Sequence, residues 1–273
     1  MLTCLINGTV ETRLNSDHRL VAFGDGLFET CLADRRGVRF WNDHLNRLEN
    51  GLARLGMIWT SEDRDALETE IETVLAHVEG VVVCKLILGR GVQGRGYDFD
   101  PDRQRTDRIV QVFPYQAQPW HLQGATLVLS EVQASVNPTL AGLKHMNRLD
   151  SVLARQSARS AGAHEALLSR ADGRLVEGSM SNLYLKRDGQ WLTPDLAEAG
   201  VDGIIRRRLL RQTEETIRVA DLLRSDLDRA EALMISNSLI GLVPVVSLDG
   251  RPLTPPAWDE LSRFRTAIGL SSD

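Results

Sequence analysis

Lys144 stands in the run Leu143-Lys144-His145-Met146-Asn147-Arg148-Leu149-Asp150, and Glu177 heads Glu177-Gly178-Ser179-Met180-Ser181-Asn182 about thirty residues later. A lysine amine is a nucleophile only when deprotonated, and nearby cations or desolvation favour that state. His145 and Arg148 lie beside Lys144 in sequence, which makes it a candidate Schiff-base lysine. Glu177 is a candidate partner for the ring nitrogen of an electron-accepting cofactor.

Three further sites could hold an anion. Gly200-Val201-Asp202-Gly203-Ile204-Ile205 feeds a predicted helix, and the first N–H groups of a helix lack internal partners and attract negative charge. Ser236-Asn237-Ser238 follows the apolar strand Leu233-Met234-Ile235, where hydroxyls can donate to a phosphate or close a turn. Arg47, three residues after His44 and off the leucine stripe of its helix, offers the planar fork suited to phosphate. Each has an ordinary alternative: Asp202 capping its helix, the hydroxyls shaping a turn, the arginine in water. Taken with Lys144 and Glu177, they describe a phosphorylated aldehyde cofactor.

The elements that must position these groups are short and mixed. Leu2 to Ile6 before Asn7-Gly8 predicts a strand and tight turn. Asn42-Asp43 is expected to cap a helix with Leu45, Leu48, Leu52 and Leu55 on one face, stopped at Gly56. Ser61 starts a second helix, with Leu67, Ile71, Val74, Leu75 and Val78 as its apolar positions. Strands are expected at 81–88 and 108–113, and residues 114–123, with two prolines, read as a linker. A strand at 125–132, a loop from Asn137-Pro138, a helix at 149–161 and a hairpin of 165–170 with 175–185 follow. A helix at 203–217 and a strand at 232–235 complete the pattern. Strands and helices do not alternate strictly, so an α+β fold of two lobes fits better than a doubly wound sheet. Gly89-Arg90-Gly91-Val92-Gln93-Gly94 matches the dinucleotide fingerprint, but Arg95-Gly96-Tyr97-Asp98-Phe99-Asp100-Pro101 cannot open the helix that fingerprint requires. A nicotinamide dehydrogenase is not expected.

A chain of 273 residues with 42% hydrophobic and 25% charged residues is that of a folded protein with a sizeable core. The net charge of −5 gives no reason to expect nucleic acid or an anionic membrane. Cys4, Cys31 and Cys84 are odd in number, lack metal-ligand spacing and lie in apolar runs, so buried free thiols in a reducing compartment are expected. No metal site is expected. The first residues lack a basic start and an apolar core, and no apolar run approaches the roughly twenty residues needed to span a bilayer. A cytoplasmic protein acting on a small molecule is the expectation.

Phe23-Gly24-Asp25-Gly26-Leu27-Phe28-Glu29-Thr30, His44-Leu45-Asn46-Arg47-Leu48 and Gly94-Arg95-Gly96-Tyr97 precede the lysine, carboxylate and glycine-turn motifs. In order and spacing, the set resembles the fold-type IV pyridoxal-phosphate enzymes, and among them the aminodeoxychorismate lyases. The resemblance implies a small N-terminal α/β lobe (1–114), a linker (115–123) and a larger C-terminal lobe (124–273), with the cofactor in a cleft between the lobes. It also implies a homodimer. Lys144 would bind the aldehyde of pyridoxal 5'-phosphate and Glu177 its ring nitrogen. Arg47, the backbone at Ile204 and the pair Asn237-Ser238 would hold the phosphate. Arg95 and Arg148 would serve the substrate's carboxylates. The implied reaction releases pyruvate from 4-amino-4-deoxychorismate to leave 4-aminobenzoate for folate synthesis. Branched-chain and D-amino-acid aminotransferases share the lysine and the Glu-Gly-Ser segment and are the rival reading. They typically carry Asn-Tyr-Leu where this chain has Asn147-Arg148-Leu149. A non-catalytic scaffold would lack Lys144 or Glu177.

Overall fold

The computed structural model describes residues 1–212 and 217–270. The chain forms two compact units: Met1–Gln116 with Leu143–Asn147, and Ala117–Gly142 with the chain from Arg148 onward.

The first unit contains β1 (Thr3–Ile6), β2 (Thr9–Val10), α1 (Arg19–Phe23), β3 (Gly26–Asp34), β4 (Gly37–Val38), α2 (Trp41–Arg54), α3 (Ser61–Leu75), β5 (Val82–Gly89) and β6 (Asp107–Pro114). Its strands make one six-stranded antiparallel sheet in the order β2-β1-β6-β5-β3-β4. Side chains alternate across a strand, and in β3 the more deeply buried set is Leu27, Glu29, Cys31 and Ala33. The other face gathers Cys4, Ile87 and Ile109 with Ile6, Leu20, Phe28 and Met146.

Helix α2 buries His44, Leu45, Arg47, Leu48, Gly51 and Leu52. The spacing i, i+3, i+4, i+7, i+8 makes a wide inward arc. Arg47, expected off the leucine stripe, therefore lies inside it. The helix begins one residue before Asn42, with Phe40 at the cap position and no side-chain cap bond. In α3 the cap is Thr60 rather than Ser61, and Thr60 and Asp63 form a reciprocal capping box.

The segment Leu143–Asn147 extends the edge of β3: Phe28 N–H donates to the Lys144 carbonyl (2.9 Å) and Met146 N–H to that of Gly26 (3.0 Å). These bonds group Lys144 with the first unit.

The second unit contains α4 (Trp120–Gln123), β7 (Ala125–Gln133), α5 (Leu149–Ser160), β8 (Glu165–Ser169), β9 (Leu175–Gly178), β10 (Asn182–Arg187), β11 (Gln190–Pro194), α6 (Ile204–Gln212), β12 (Ile217–Ala220), β13 (Ala232–Asn237), β14 (Gly241–Leu248), β15 (Arg251–Pro252) and α7 (Trp258–Ala267). The expected linker thus carries a helical turn, and its Trp120 packs on the core of leucines, isoleucines and valines from β7, β10, β13 and β14. Nine strands form the sheet, ordered β12-β11-β10-β13-β14-β7-β8-β9, with β15 beside β14. Five strand spacings separate β9 from β10 along this order, roughly 24 Å if flat. Residues 179–181 alone connect them in the chain, a reach of about 14 Å between Gly178 and Asn182 at full extension. The sheet must therefore curl.

The same turn divides the expected 175–185 strand, with Gly178 N–H donating to the Ser181 carbonyl (2.6 Å). The expected helix 203–217 is described from Ile204 as far as Gln212, 213–216 lie outside the described residues, and Ile217 opens a strand. In α5 the inward residues are Ala154 and Ala158, whereas Leu149, Val152 and Leu153 are 76%, 53% and 47% exposed.

Candidate active site

Within the first unit, Lys144 is held by its backbone at the edge of β3, and its Nζ lies 4.4 Å from the centre of the Phe28 ring. An aromatic face attracts a cation electrostatically, so Phe28 gives the flexible amine a preferred seat. On the opposite face of β3, Glu29 accepts from Arg47 Nε (2.7 Å) and Nη2 (2.6 Å), and His44 Nδ1 lies 2.7 Å from Glu29 Oε2. Burial would raise the Glu29 carboxyl, but the charges and hydrogen bonds of Arg47 and His44 outweigh it and hold the group well below the usual carboxylate range. Cys31, also buried, has its thiol pushed well up by desolvation and by Glu29, while the cations of Arg47 and Lys144 oppose the rise. Ligand-type atoms of Glu29, Cys31 and His44 lie within 4.8 Å of one another, but the Arg47 fork already pairs with the carboxylate.

Arg95 lies exposed in the loop between β5 and β6. The loop is anchored by a residue that sequence reasoning missed. Buried Arg19 donates from Nη1 to the carbonyls of Gly96 (3.0 Å) and Asp98 (3.2 Å) and from Nη2 to that of Tyr97 (3.0 Å). Its Nε and that of Arg90 both donate to Asp25, at 2.7 and 2.8 Å. Burial acts to raise Asp25, and the hydrogen bonds from Arg90 and Arg19 overcome it, leaving the carboxyl lowered. Phe99 stacks 4.1 Å from the Arg90 guanidinium. No local motif marks Arg19, because the loop carbonyls it holds lie 77 to 79 residues away.

Within the second unit, β9 presents Glu177, whose Oε2 accepts from Val201 N–H (2.9 Å) and whose Oε1 lies 3.9 Å from Arg148 Nη1. Arg148 is the residue just before α5, and Asp150 in the first turn of that helix accepts from Ser135 N–H (2.7 Å). Ile204 opens α6, which has no acidic residue in its first turn. Arg207 N–H bonds the Gly203 carbonyl (2.9 Å), so the N–H groups of Ile204 and Ile205 precede the first intrahelical bond. Asp202 accepts from Arg206 (2.9 Å) and Arg207 (2.7 Å). The approach to this helix end is tight: a Cβ at Gly203 would stand 1.9 Å from Asn182 Oδ1. Asn182 in turn donates to the Val201 carbonyl (2.9 Å). Asn237 Nδ2 donates to the Met180 carbonyl (3.0 Å), and its Oδ1 accepts from the N–H groups of Leu239 and Ile240 at 2.9 and 3.0 Å. Its side chain therefore builds the turn that carries Ser238.

The sequence candidates thus fall into two groups. Lys144, Arg47 and Arg95 belong to the first unit; Glu177, Arg148, Ile204, Asn237 and Ser238 belong to the second. The groups present suit a phosphorylated aldehyde with a ring nitrogen: an amine, a carboxylate, a guanidinium, a hydroxyl and a helix N-terminus with no acid in its first turn, the preceding Asp202 being paired with Arg206 and Arg207.

Residues 26–248 match the family model described as amino-transferase class IV. The chain is 29% identical to the aminodeoxychorismate lyase of Vibrio harveyi, over 88% of this chain and 89% of that one. It is 34% identical to a solved 4-amino-4-deoxychorismate lyase from Pseudomonas aeruginosa, covering 97% of each chain at a TM-score of 0.86. A hypothetical aminotransferase from Mycobacterium tuberculosis, solved in a PLP-bound form, shares the fold at 19% identity, over 97% of this chain and 98% of that one with a TM-score of 0.82.

Proposed function

The chain belongs to the class IV amino-transferase family, and from that premise we propose that it is a pyridoxal-phosphate-dependent aminodeoxychorismate lyase forming 4-aminobenzoate and pyruvate. The observation that carries the choice of lyase over transaminase is the 34% identity to the Pseudomonas aeruginosa lyase along 97% of both chains. Arg148 supports it: a guanidinium stands beside Glu177 at the position where the transaminases typically have a tyrosine.

Arg47, the N–H groups of Ile204 and Ile205, and Ser238 on the turn shaped by Asn237 are the phosphate ligands in this reading. Pyridoxal phosphate, when bound, supplies an aldehyde for the substrate's amine and a conjugated ring that takes up the electron pair left by proton removal. Glu177 balances the positive charge at the ring nitrogen, with Val201 N–H fixing one of its oxygens. Lys144, released as a neutral amine, takes the proton from the amine-bearing ring carbon and returns one to the departing enolpyruvyl oxygen. The carbon–oxygen bond breaks, the carbon–carbon double bond formed in its place completes the aromatic ring, and the enolpyruvate that leaves tautomerises to pyruvate. Arg95 and Arg148 meet the two carboxylates of the substrate.

The working form in this reading is a cytoplasmic homodimer. Three buried free cysteines suit a reducing compartment, and the exposed apolar residues of α5 suit a second copy of the chain. No helix among the described residues is long and apolar enough to cross a membrane. The test of function is product: 4-aminobenzoate and pyruvate formed without any keto-acid acceptor support the lyase, whereas turnover that requires one supports a transaminase.

A further inference from the structure

Glu165, the first residue of β8, is wholly buried. A buried carboxylate is costly unless its lone pairs are used. Here both oxygens are used, and almost entirely by one turn. Oε1 accepts from Ala166 N–H (2.8 Å), Ser179 N–H (3.0 Å) and the Ser179 hydroxyl. Oε2 accepts from Met180 N–H (3.2 Å) and the Ser181 hydroxyl (2.8 Å). Among the described residues, no ion pair to Glu165 is found. The turn has closed down on the carboxylate: a Cβ at Gly178 would stand 2.3 Å from Ser181 Oγ and 2.9 Å from the Glu165 carboxyl carbon.

The turn has consequences at both of its ends. It begins directly after Glu177, whose backbone pairs with Leu168 of the strand that Glu165 opens. At its centre the Met180 carbonyl accepts the Asn237 side chain, which shapes the turn bearing Ser238. We propose that Glu165 is a positioning residue for the cofactor site: its carboxylate holds residues 178–181 in the one shape that aims Glu177 and, through Met180 and Asn237, sets Ser238. The role rests on the cofactor reading above. Glutamine has the same shape but an NH2 on one side, so one set of donors on the turn would face another donor. Alanine would take this acceptor from all five, leaving Ser179 N–H only its bond to the Ala166 carbonyl (2.9 Å).

The test uses the full chain stripped of cofactor, with pyridoxal phosphate as the probe. Glu165→Gln is expected to speed amide exchange at residues 178–182 by about tenfold or more, the scale of one lost hydrogen bond. It is expected to weaken pyridoxal phosphate binding in equilibrium dialysis by a similar factor. Ser181→Ala removes one donor, keeps the carboxylate and decides the matter if the first variant does not fold; smaller changes in the same direction are expected. A lower melting temperature with wild-type exchange and wild-type cofactor affinity would make Glu165 a packing residue only and overturn the proposal. Unchanged exchange and affinity in Ser181→Ala would do the same. Failure of the wild-type protein to bind pyridoxal phosphate would overturn the cofactor reading instead, while amide exchange would still decide whether Glu165 holds the turn.

Discussion

Arg47 meets Glu29 through two N–H···O bonds, Nε to Oε1 at 2.7 Å and Nη2 to Oε2 at 2.6 Å, with both side chains buried. Two parallel bonds fix the plane of the guanidinium as well as its position. In a helix arginine proposed to hold phosphate, that plane determines which way the remaining N–H groups point.

Glu29→Gln removes the negative charge and leaves Arg47 buried with its charge uncompensated. A loss of about 3 kcal/mol of stability is expected at neutral pH, read by urea unfolding. In the folded protein Glu29 is held below its ordinary value near 4.5, so folding releases protons at acid pH. Its stabilising contribution is complete above that ordinary value and declines as pH falls below it. The wild type should therefore lose stability from pH 5 to pH 3 more steeply than Glu29→Gln, although lowered Asp25 leaves the variant some slope of its own. Parallel curves for the two proteins would remove Glu29 from the account.

Much of the first unit was legible because its signals are local. Asn7-Gly8 marks a turn, Val82 to Leu88 is a strand apolar at every position but Lys85, and the leucines of α2 repeat at helical spacing. Strand β3 was harder, because Glu29 and Thr30 interrupt its apolar run and only the partners of Glu29 on α2 explain an acid at a buried position. The expected Leu149, Val152 and Leu153 stripe lies on the exposed side of α5, since periodicity shows that a face is apolar and not what covers it. Strands β11 and β14 and helix α7 gave no reading: Pro194 ends β11, Pro244 lies inside β14, and Pro255-Pro256 stand just before α7. Among the site residues, Lys144 and Glu177 stood out by chemistry and motif. Glu165 and Arg19 did not, because what defines them is contact with distant backbone.

Lys144→Ala should leave the fold intact, because Lys144 contributes to β3 through its backbone carbonyl, which alanine retains. Turnover should fall to background, together with the borohydride-sensitive yellow absorbance expected of the purified wild type. A folded variant that still released pyruvate at near-normal rate would move the covalent role to another residue.

Glu177→Gln keeps the acceptor for Val201 N–H but removes the charge opposite the ring nitrogen. The cofactor is expected to remain bound while kcat falls by about a hundredfold or more, the scale of other preorganised charge deletions. Loss of cofactor with normal turnover on resupply would make Glu177 a binding residue only.

For Arg148, a KM–kcat split separates two roles. If its guanidinium binds a substrate carboxylate, Arg148→Ala should raise KM by about ten- to a hundredfold, the worth of a charged hydrogen bond. A fall in kcat at unchanged KM would instead assign it to orienting Glu177, 3.9 Å away.

The central claim is lyase chemistry, and product stoichiometry tests it most directly. Purified protein incubated with 4-amino-4-deoxychorismate, with no keto acid present, should yield 4-aminobenzoate and pyruvate in equal amounts by chromatography. Transfer from leucine or D-alanine to 2-oxoglutarate should be slight in the parallel assay. Fast transamination with no 4-aminobenzoate formed would contradict the lyase assignment and leave the chain's family membership standing.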